Sequence, residues 1–413
     1  MNILFLIHRY PASGDAMGGS ERFVQEMARR LVADGHRAVV YTSDIQAMEG
    51  FWRRGSERLA YGVDQGGNGV QVRRFKAHVL PAHGVLCRLL NLVPWASVGL
   101  TMAPPGLVLP GMWQAVRAAA GFDLVHASAY PSLIYLGAVA ARRSAARLVA
   151  MPCTHPGSAG QGSQQGCFLG RQMVDLYRQA AAVIALTDGE RQLLAAAGVA
   201  QERIFVTGAG VDPRAAAGAD GSRFRQSYGL PADAPIVAFI GHKTAGKGVL
   251  HLLEAGQRLI AERPELTMAV VGEPTPEFMG RYQALPQPVR ERVLNLRLSE
   301  ADKHDLLAAC SLLALPSQDD SFGIVLLEAW LHGRPVVGAR AGGIPEVIAD
   351  GQTGLLVPFG DAAALVDAIS WLLDYPAEAA EMGAAGRATT LQRWTWDAVY
   401  HRVVTAYEGG VAA

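Results

Sequence analysis

A chain of 413 residues with 37 Lys and Arg against 37 Asp and Glu carries no net charge, so nothing in its balance points to nucleic acid as a partner. Half of it is apolar, yet no run of 18 consecutive apolar residues occurs, so no membrane-spanning helix is expected and the length implies about two to three domains. Cys87, Cys153, Cys167 and Cys310 lack a CxxC pair or a zinc spacing and read as buried cytosolic thiols.

The charge is uneven. Residues 1–212 hold 20 Lys and Arg against 14 Asp and Glu, and the remainder holds 17 against 23. A basic first half suits an anionic acceptor or lipid head groups, and it equally suits plain solvation. The opening MNILFLI is a strand-length apolar run without a basic leader or cleavage site. No signal peptide is expected, and the expected location is the cytoplasm, with peripheral membrane contact as an added reading.

The first half reads as repeated βα units. NILFLIHRY is a strand, SERFVQEMARRLVADG an amphipathic helix stopping at Gly35, and HRAVVYTSD a second strand. Gly18 and Gly19 form a turn directly before that helix, where backbone can approach a phosphate or sugar closely; an ordinary strand-to-helix turn is the plainer reading. Residues 47–113 are less legible. A short helix pair walling an acceptor site is expected there, with Trp95 and Trp113 among aliphatic residues. FDLVHAS, RLVAMPCTH and AAVIALT are further strands alternating with helices. His155 stands at the carboxyl end of one of them, where ligands bind in open α/β sheets. The periodic pattern lapses between Val211 and Ala234, which places the domain boundary near residue 212.

The second half opens with PIVAFIGHKTAGKGVLHLLEAGQRLI, a strand, a loop and a helix. Lys247 precedes the helix as a point charge for phosphate would, although the Walker A spacing is missing. LTMAVVGEP is a strand whose Gly272-Glu273 turn can face a nucleotide. SLLALP then feeds the loop SQDDS and the helical run FGIVLLEAWLHG. With Ser321 as N-cap, the amides of Phe322, Gly323, Ile324 and Val325 would lie at a positive helix end suited to phosphate. Asp320 precedes that end and Glu328 follows about two turns on. Such a site fits a nucleotide sugar: hexose at Asp320, diphosphate at the amides, ribose at Glu328. The turn Gly342-Gly343-Ile344-Pro345-Glu346 offers further amides.

The order acid, Ser-Phe-Gly, four residues, Glu328, then Gly-x-Pro-Val-Val and Gly-Gly-x-Pro-Glu-Val-Ile resembles the donor site of the family-four retaining glycosyltransferases of the GT-B fold. The likeness covers nearly the whole chain and is most specific from Ala234 to Pro358. It implies an α/β protein of two facing Rossmann-like domains with parallel sheets, an acceptor-binding domain over 1–212 and a nucleotide-sugar-binding domain over 213–391. A C-terminal helix over about 392–409 would return to the first. Catalytic roles fall to His155, which would touch the transferred sugar, to Lys247 and to Asp320, where relatives usually carry Glu. Gly18 and Gly19 would face the diphosphate, and the backbone near Leu298 the base. The family's phosphate-binding Arg is replaced here by His242, with Lys243 beside it as the alternative cation. His126 also ends a strand, but Ser128 stands where many relatives have a second histidine or an acid.

The resemblance implies transfer of a hexose-type sugar, with retention, from a nucleotide diphosphate sugar to an acceptor hydroxyl on a glycan, lipid-linked or small molecule. No Asp-x-Asp occurs, so no metal and no other cofactor is expected. A non-catalytic nucleotide-sugar-binding module, an epimerase or a phosphorylase on a similar frame are the competing readings.

Overall fold

Short apolar runs bounded by turn residues become buried parallel strands because helices cover both faces of the sheet they build. The computed structural model describes residues 1–10, 18–46, 58–60, 62–66, 69–79, 107–154 and 168–409. They fall into two α/β units. One comprises the described stretches up to Thr207 together with the C-terminal run from Tyr400, and the other runs Gly208–Val399. The changeover lies just ahead of the stretch in which the sequence pattern lapses. No helix among the described residues is long and apolar enough to cross a membrane.

The first unit contains strands β1 (Asn2–Leu6), β2 (Arg37–Ser43), β3 (Gly62–Gly66), β4 (Val70–Phe75), β5 (His78–Val79), β6 (Leu107–Val108), β7 (Leu124–Ser128), β8 (Arg147–Met151), β9 (Ala182–Ala185) and β10 (Ile204–Val206). Eight of them form one sheet in the order β10-β9-β8-β7-β1-β2-β4-β3, parallel throughout except for β3 against β4. Strand order reverses between β1 and β7, which makes the carboxyl ends of those two strands the switch point. Helix Gly19–Ala33 buries Phe23, Val24, Met27, Ala28 and Leu31, a stripe of period 3 to 4, and Gly35 ends it at φ +80°. In the region expected to hold a helix pair, Pro110–Arg117 is helical, with proline in the first turn where its missing N–H costs nothing. The rest of that pair, with Trp95, lies outside the described residues.

The C-terminal helix Trp396–Glu408 enters this unit at Tyr400. Tyr400 donates to Asp34 at 2.5 Å, Arg402 donates to the Thr207 carbonyl at 2.8 Å, and Tyr407 hydrogen-bonds His126 Nδ1 at 2.5 Å. His126 and Tyr407 are fully buried. His126 therefore serves packing inside the unit, with its pKa lowered to about 3 by desolvation.

The second unit contains β11 (Ile236–Ile240), β12 (Thr267–Val271), β13 (Val293–Leu296), β14 (Leu312–Leu315), β15 (Val336–Ala339) and β16 (Gly354–Val357). Its sheet runs β13-β12-β11-β14-β15-β16, with every pair parallel. β11 and β14 flank the switch point, so the loops that leave them bound a crevice. Those two loops carry Lys247 and Asp320. Helices Val249–Glu262, Ile324–Leu331, Ala362–Asp374 and Pro376–Arg393 supply apolar side chains to this core. Trp330 is fully buried, donates to the Thr353 carbonyl at 2.9 Å, and leans on Gly386, where a Cβ would stand 2.2 Å from its ring.

Candidate active site

Three loops meet at the carboxyl ends of β11, β14 and β15, and they approach closely because glycines stand at several of the contacts. A Cβ on Gly246 would fall 1.6 Å from Asp319 Oδ2, and one on Gly248 would fall 1.9 Å from the Pro316 carbonyl. Gly248 also sits at φ +71°, a left-handed conformation that costs other residues energy. From the third loop, the Gly343 amide donates to the Asp320 carbonyl at 2.7 Å, and a Cβ on Gly342 would come within 2.6 Å of the same oxygen. Gln318 N donates to the Gly246 carbonyl at 2.9 Å and closes the arrangement.

Lys247 closes a single 3-10 turn, Ala245–Lys247, capped by Thr244. Its ammonium donates to Asp320 Oδ1 at 2.8 Å and to the Asp319 carbonyl at 3.2 Å. The pair is about one-fifth exposed, so solvent screens it less than a surface ion pair. The structure thus joins Lys247 and Asp320 in one contact.

The helix after Asp320 starts later than the sequence suggests. Ser321 is not its N-cap. Gly323 takes that position in the left-handed conformation, φ +84° and ψ 54°, and the helix runs Ile324–Leu331. Its leading amides are accordingly those from Ile324 onward, one of which, Leu326 N–H, turns back to the Gly323 carbonyl. Ile324 and Val325 are half-buried. The Phe322 side chain is turned inward, edge-on to Trp394 at 5.1 Å, which leaves its backbone as the part a ligand would meet.

Glu328, one turn into this helix, is buried and accepts from Lys303 Nζ at 2.8 Å. Lys303 also donates to Glu300 at 2.9 Å. His304 lies next along the same helix, Glu300–Ala309, with its Nδ1 3.0 Å from His332 Nε2. Burial and His304 lower the His332 pKa to about 4. Glu300, His304 and Glu328 offer ligand atoms within 4.8 Å of one another, a spacing a metal ion can use. The Lys303 ammonium already bridges the two carboxylates, so this cluster carries its own cation. Sequence reasoning missed Lys303; its i,i+3 spacing from Glu300 was the available signal.

Lys243 does not take the position expected of it. It is fully buried, with its ammonium on Asn295 Oδ1 at 2.5 Å and the Leu296 carbonyl at 3.1 Å, and 5.2 Å from the centre of the Phe278 ring. Desolvation first, then the Arg297 charge, lower its pKa to about 8. With its ammonium spent on Asn295 and Leu296, the Lys243 side chain is not presented at the loop surface. His242 is exposed. Gly272 (φ +133°) lets the β12 end pass the Gly241 carbonyl, where a Cβ would be 2.0 Å away. Leu298 is half-buried in the segment between β13 and the helix that starts at Glu300.

In the first unit, Gly18 caps helix Gly19–Ala33, and its N–H donates to Glu21 at 2.5 Å. Glu21 also accepts two hydrogen bonds from Arg9, at 2.7 and 2.6 Å, a bidentate buried pair. The glycine turn is thus anchored by the acid three residues on. Ala129 and Cys153 follow β7 and β8 at φ +71° and +56°, rare values for side-chain-bearing residues. His155 lies outside the described residues, as do Cys87 and Cys167.

The glycosyl transferases group 1 family model matches residues 220–389, and the glycosyl transferase 4-like domain matches residues 18–210. The chain is 32% identical over 248 residues to a D-inositol 3-phosphate glycosyltransferase of Mycolicibacterium paratuberculosis, a match covering 58% of this chain and only 55% of that relative. It is 33% identical over 271 residues to an alpha-maltose-1-phosphate synthase of Mycolicibacterium smegmatis, covering 60% of this chain and 67% of the relative. Among solved structures, Anabaena Alr3699/HepE in complex with UDP-glucose superposes with a TM-score of 0.74 at 23% identity, over 99% of each chain.

Proposed function

The chain belongs to family four of the GT-B glycosyltransferases, and from that premise we propose that it moves a hexose-type sugar from a nucleotide diphosphate sugar to an acceptor hydroxyl, with retention of anomeric configuration and without a metal. The observation that carries this reading is the Lys247–Asp320 contact of 2.8 Å at the β11/β14 switch point, beside the helix that starts at Ile324. A diphosphate laid at that helix start meets amides and one ammonium. A sugar on its far phosphate then lies against Asp320, and a ribose at the other end is within reach of Glu328.

In this reading the bond from the anomeric carbon to the phosphate oxygen breaks first, leaving an oxocarbenium-like ring. The acceptor oxygen bonds the same face, and its proton passes to the departing diphosphate. Lys247 and the amides stabilise charge that grows on that diphosphate, while Asp320 holds the sugar's hydroxyls. His155 is kept as a second contact to the sugar. The acceptor is assigned to the first unit, near the carboxyl ends of β1 and β7.

The test is to incubate the protein with UDP-, GDP-, ADP- and dTDP-sugars and follow nucleotide release, with and without acceptors. Both relatives are named for a phosphate ester, so inositol and sugar phosphates belong among the acceptors beside unphosphorylated ones. Release that accelerates with one acceptor, a product of retained configuration by NMR, and activity unchanged in EDTA are the expected results. Tight binding with no turnover across the whole panel would turn the reading to a binding module. Loss of activity in EDTA, restored by a divalent ion, would overturn metal independence.

A further inference from the structure

Glu328 is not placed by its own helix alone. Lys303, from helix Glu300–Ala309, holds it by one short contact and is itself held by Glu300 through another, 2.8 and 2.9 Å respectively. The lysine side chain is 10% exposed and the Glu328 side chain 6%, whereas Glu300 is 36% exposed and marks the solvent end of the row. A buried carboxylate needs a partner for its charge. Lys303 supplies one and fixes one oxygen of Glu328.

We propose that Lys303 is a positioning residue for ribose recognition: it holds the Glu328 carboxylate aimed, so that it accepts from the sugar hydroxyls of a ribonucleotide and discriminates against 2′-deoxyribonucleotides. This rests on the donor-site reading above and adds to it the group that sets the nucleotide's sugar class. The choice of a lysine matters chemically. One ammonium offers three donors, enough to serve Glu300 and Glu328 together, and a neutral side chain of the same length serves neither.

The experiment measures dissociation constants by calorimetry for UDP, GDP and ADP, each beside its 2′-deoxy form, on the full chain. The wild type is expected to prefer the ribo form of the diphosphate it binds best by about tenfold or more, the size of a hydrogen bond to a charged group. Lys303→Met is expected to bring that ratio below about threefold while the deoxy form binds within about twofold of wild type. Glu300→Gln, at the more exposed end of the row, is expected to lower the ratio part of the way. A purely structural role for Lys303 would weaken both forms equally and leave the ratio unchanged, and that result overturns the proposal. If Lys303→Met does not fold, an undiminished ratio in Glu300→Gln overturns it instead. A wild type that binds a diphosphate with no ribose preference, matched by Glu328→Gln, removes the donor-site reading and this proposal with it. A preference that survives in Lys303→Met but disappears in Glu328→Gln removes this proposal alone.

Discussion

Lys247 Nζ lies 2.8 Å from Asp320 Oδ1 across the crevice between the β11 and β14 loops, a cation and an acid from segments 73 residues apart. In the proposed donor reading, the contact would hold the lysine in place for a diphosphate, so that little side-chain entropy would be lost on binding. The ammonium would then turn to the phosphate and free Asp320 for the sugar. Lys247→Ala and Asp320→Asn are each expected to lower kcat/KM by about 10² or more. The double variant should lose clearly less than the product of the two, because each single change already breaks the shared interaction. Strictly multiplicative losses, or near-normal rates in both singles, would separate the pair from the chemistry.

Backbone proximity in the same crevice makes a second expectation. Gly248→Ala places a methyl 1.9 Å from the Pro316 carbonyl at a φ of +71°. The β11 and β14 loops must part to admit it, so destabilisation above about 1 kcal/mol and a raised donor KM are expected together. Gly280, inside helix Pro276–Gln283, has nothing within 4 Å of a built Cβ. Gly280→Ala should instead stabilise by about 0.5–1 kcal/mol with kinetics unchanged. Urea midpoints and donor KM values for the two variants check the contrast; equal behaviour would mean that the loops are not packed as described.

The parallel strands were legible because a fully buried strand must be an unbroken apolar run, as in IVAFI and LLAL, and Gly or Pro marks its ends. β3 was missed for the opposite reason: Gly62–Gly66 pairs antiparallel at a sheet edge, Gly62 and Val63 are exposed, and the segment carries no apolar run. At the candidate site, residue types and order singled out Lys247 and Asp320, which the structure places in contact at 2.8 Å. Side-chain direction left no mark in the sequence. Nothing in His242-Lys243 tells which side chain turns beneath the sheet, because that depends on Asn295 and Leu296, some 50 residues away. Ser321 gave a false cap because Gly323 can adopt a left-handed turn that delays the helix, and a sequence shows only that it can.

The buried Lys243 ammonium predicts an alkaline signature. Its pKa in the fold is lowered to about 8, whereas in the unfolded chain it stays near 10.5. Between those values the unfolded chain binds more protons, so this group's contribution to stability rises with pH across that window and is constant below it. Lys243→Met lacks the titration. The melting temperature of the wild type relative to this variant should therefore increase from pH 8 to pH 10. At pH 7 the variant also leaves the Leu296 carbonyl short of a donor, at a cost of about 1–3 kcal/mol. A constant difference across the pH range would show that the lysine is not desolvated as placed.

Acid should weaken the first unit through His126. The ring is fully buried, bonded to Tyr407 at 2.5 Å, and its pKa is lowered to about 3 by desolvation. His8, after β1, is shifted in the same direction and also to about 3. The unfolded chain protonates each near 6.5, so between about 6.5 and 3 it binds protons that the folded unit refuses. Stability is then full above pH 6.5 and falls as the pH drops, by at most about 1.4 kcal/mol per pH unit for each ring. His126→Gln retains an amide for Tyr407 but cannot titrate, so its unfolding midpoint should drop less than that of the wild type between pH 7 and pH 5. Tyr407→Phe removes the hydrogen bond and leaves the ring buried. It should lower stability by about 1 kcal/mol at every pH without flattening the slope. Urea unfolding of the three proteins at pH 7, 6 and 5 distinguishes the two effects, and a wild-type slope in His126→Gln would place the acid sensitivity elsewhere.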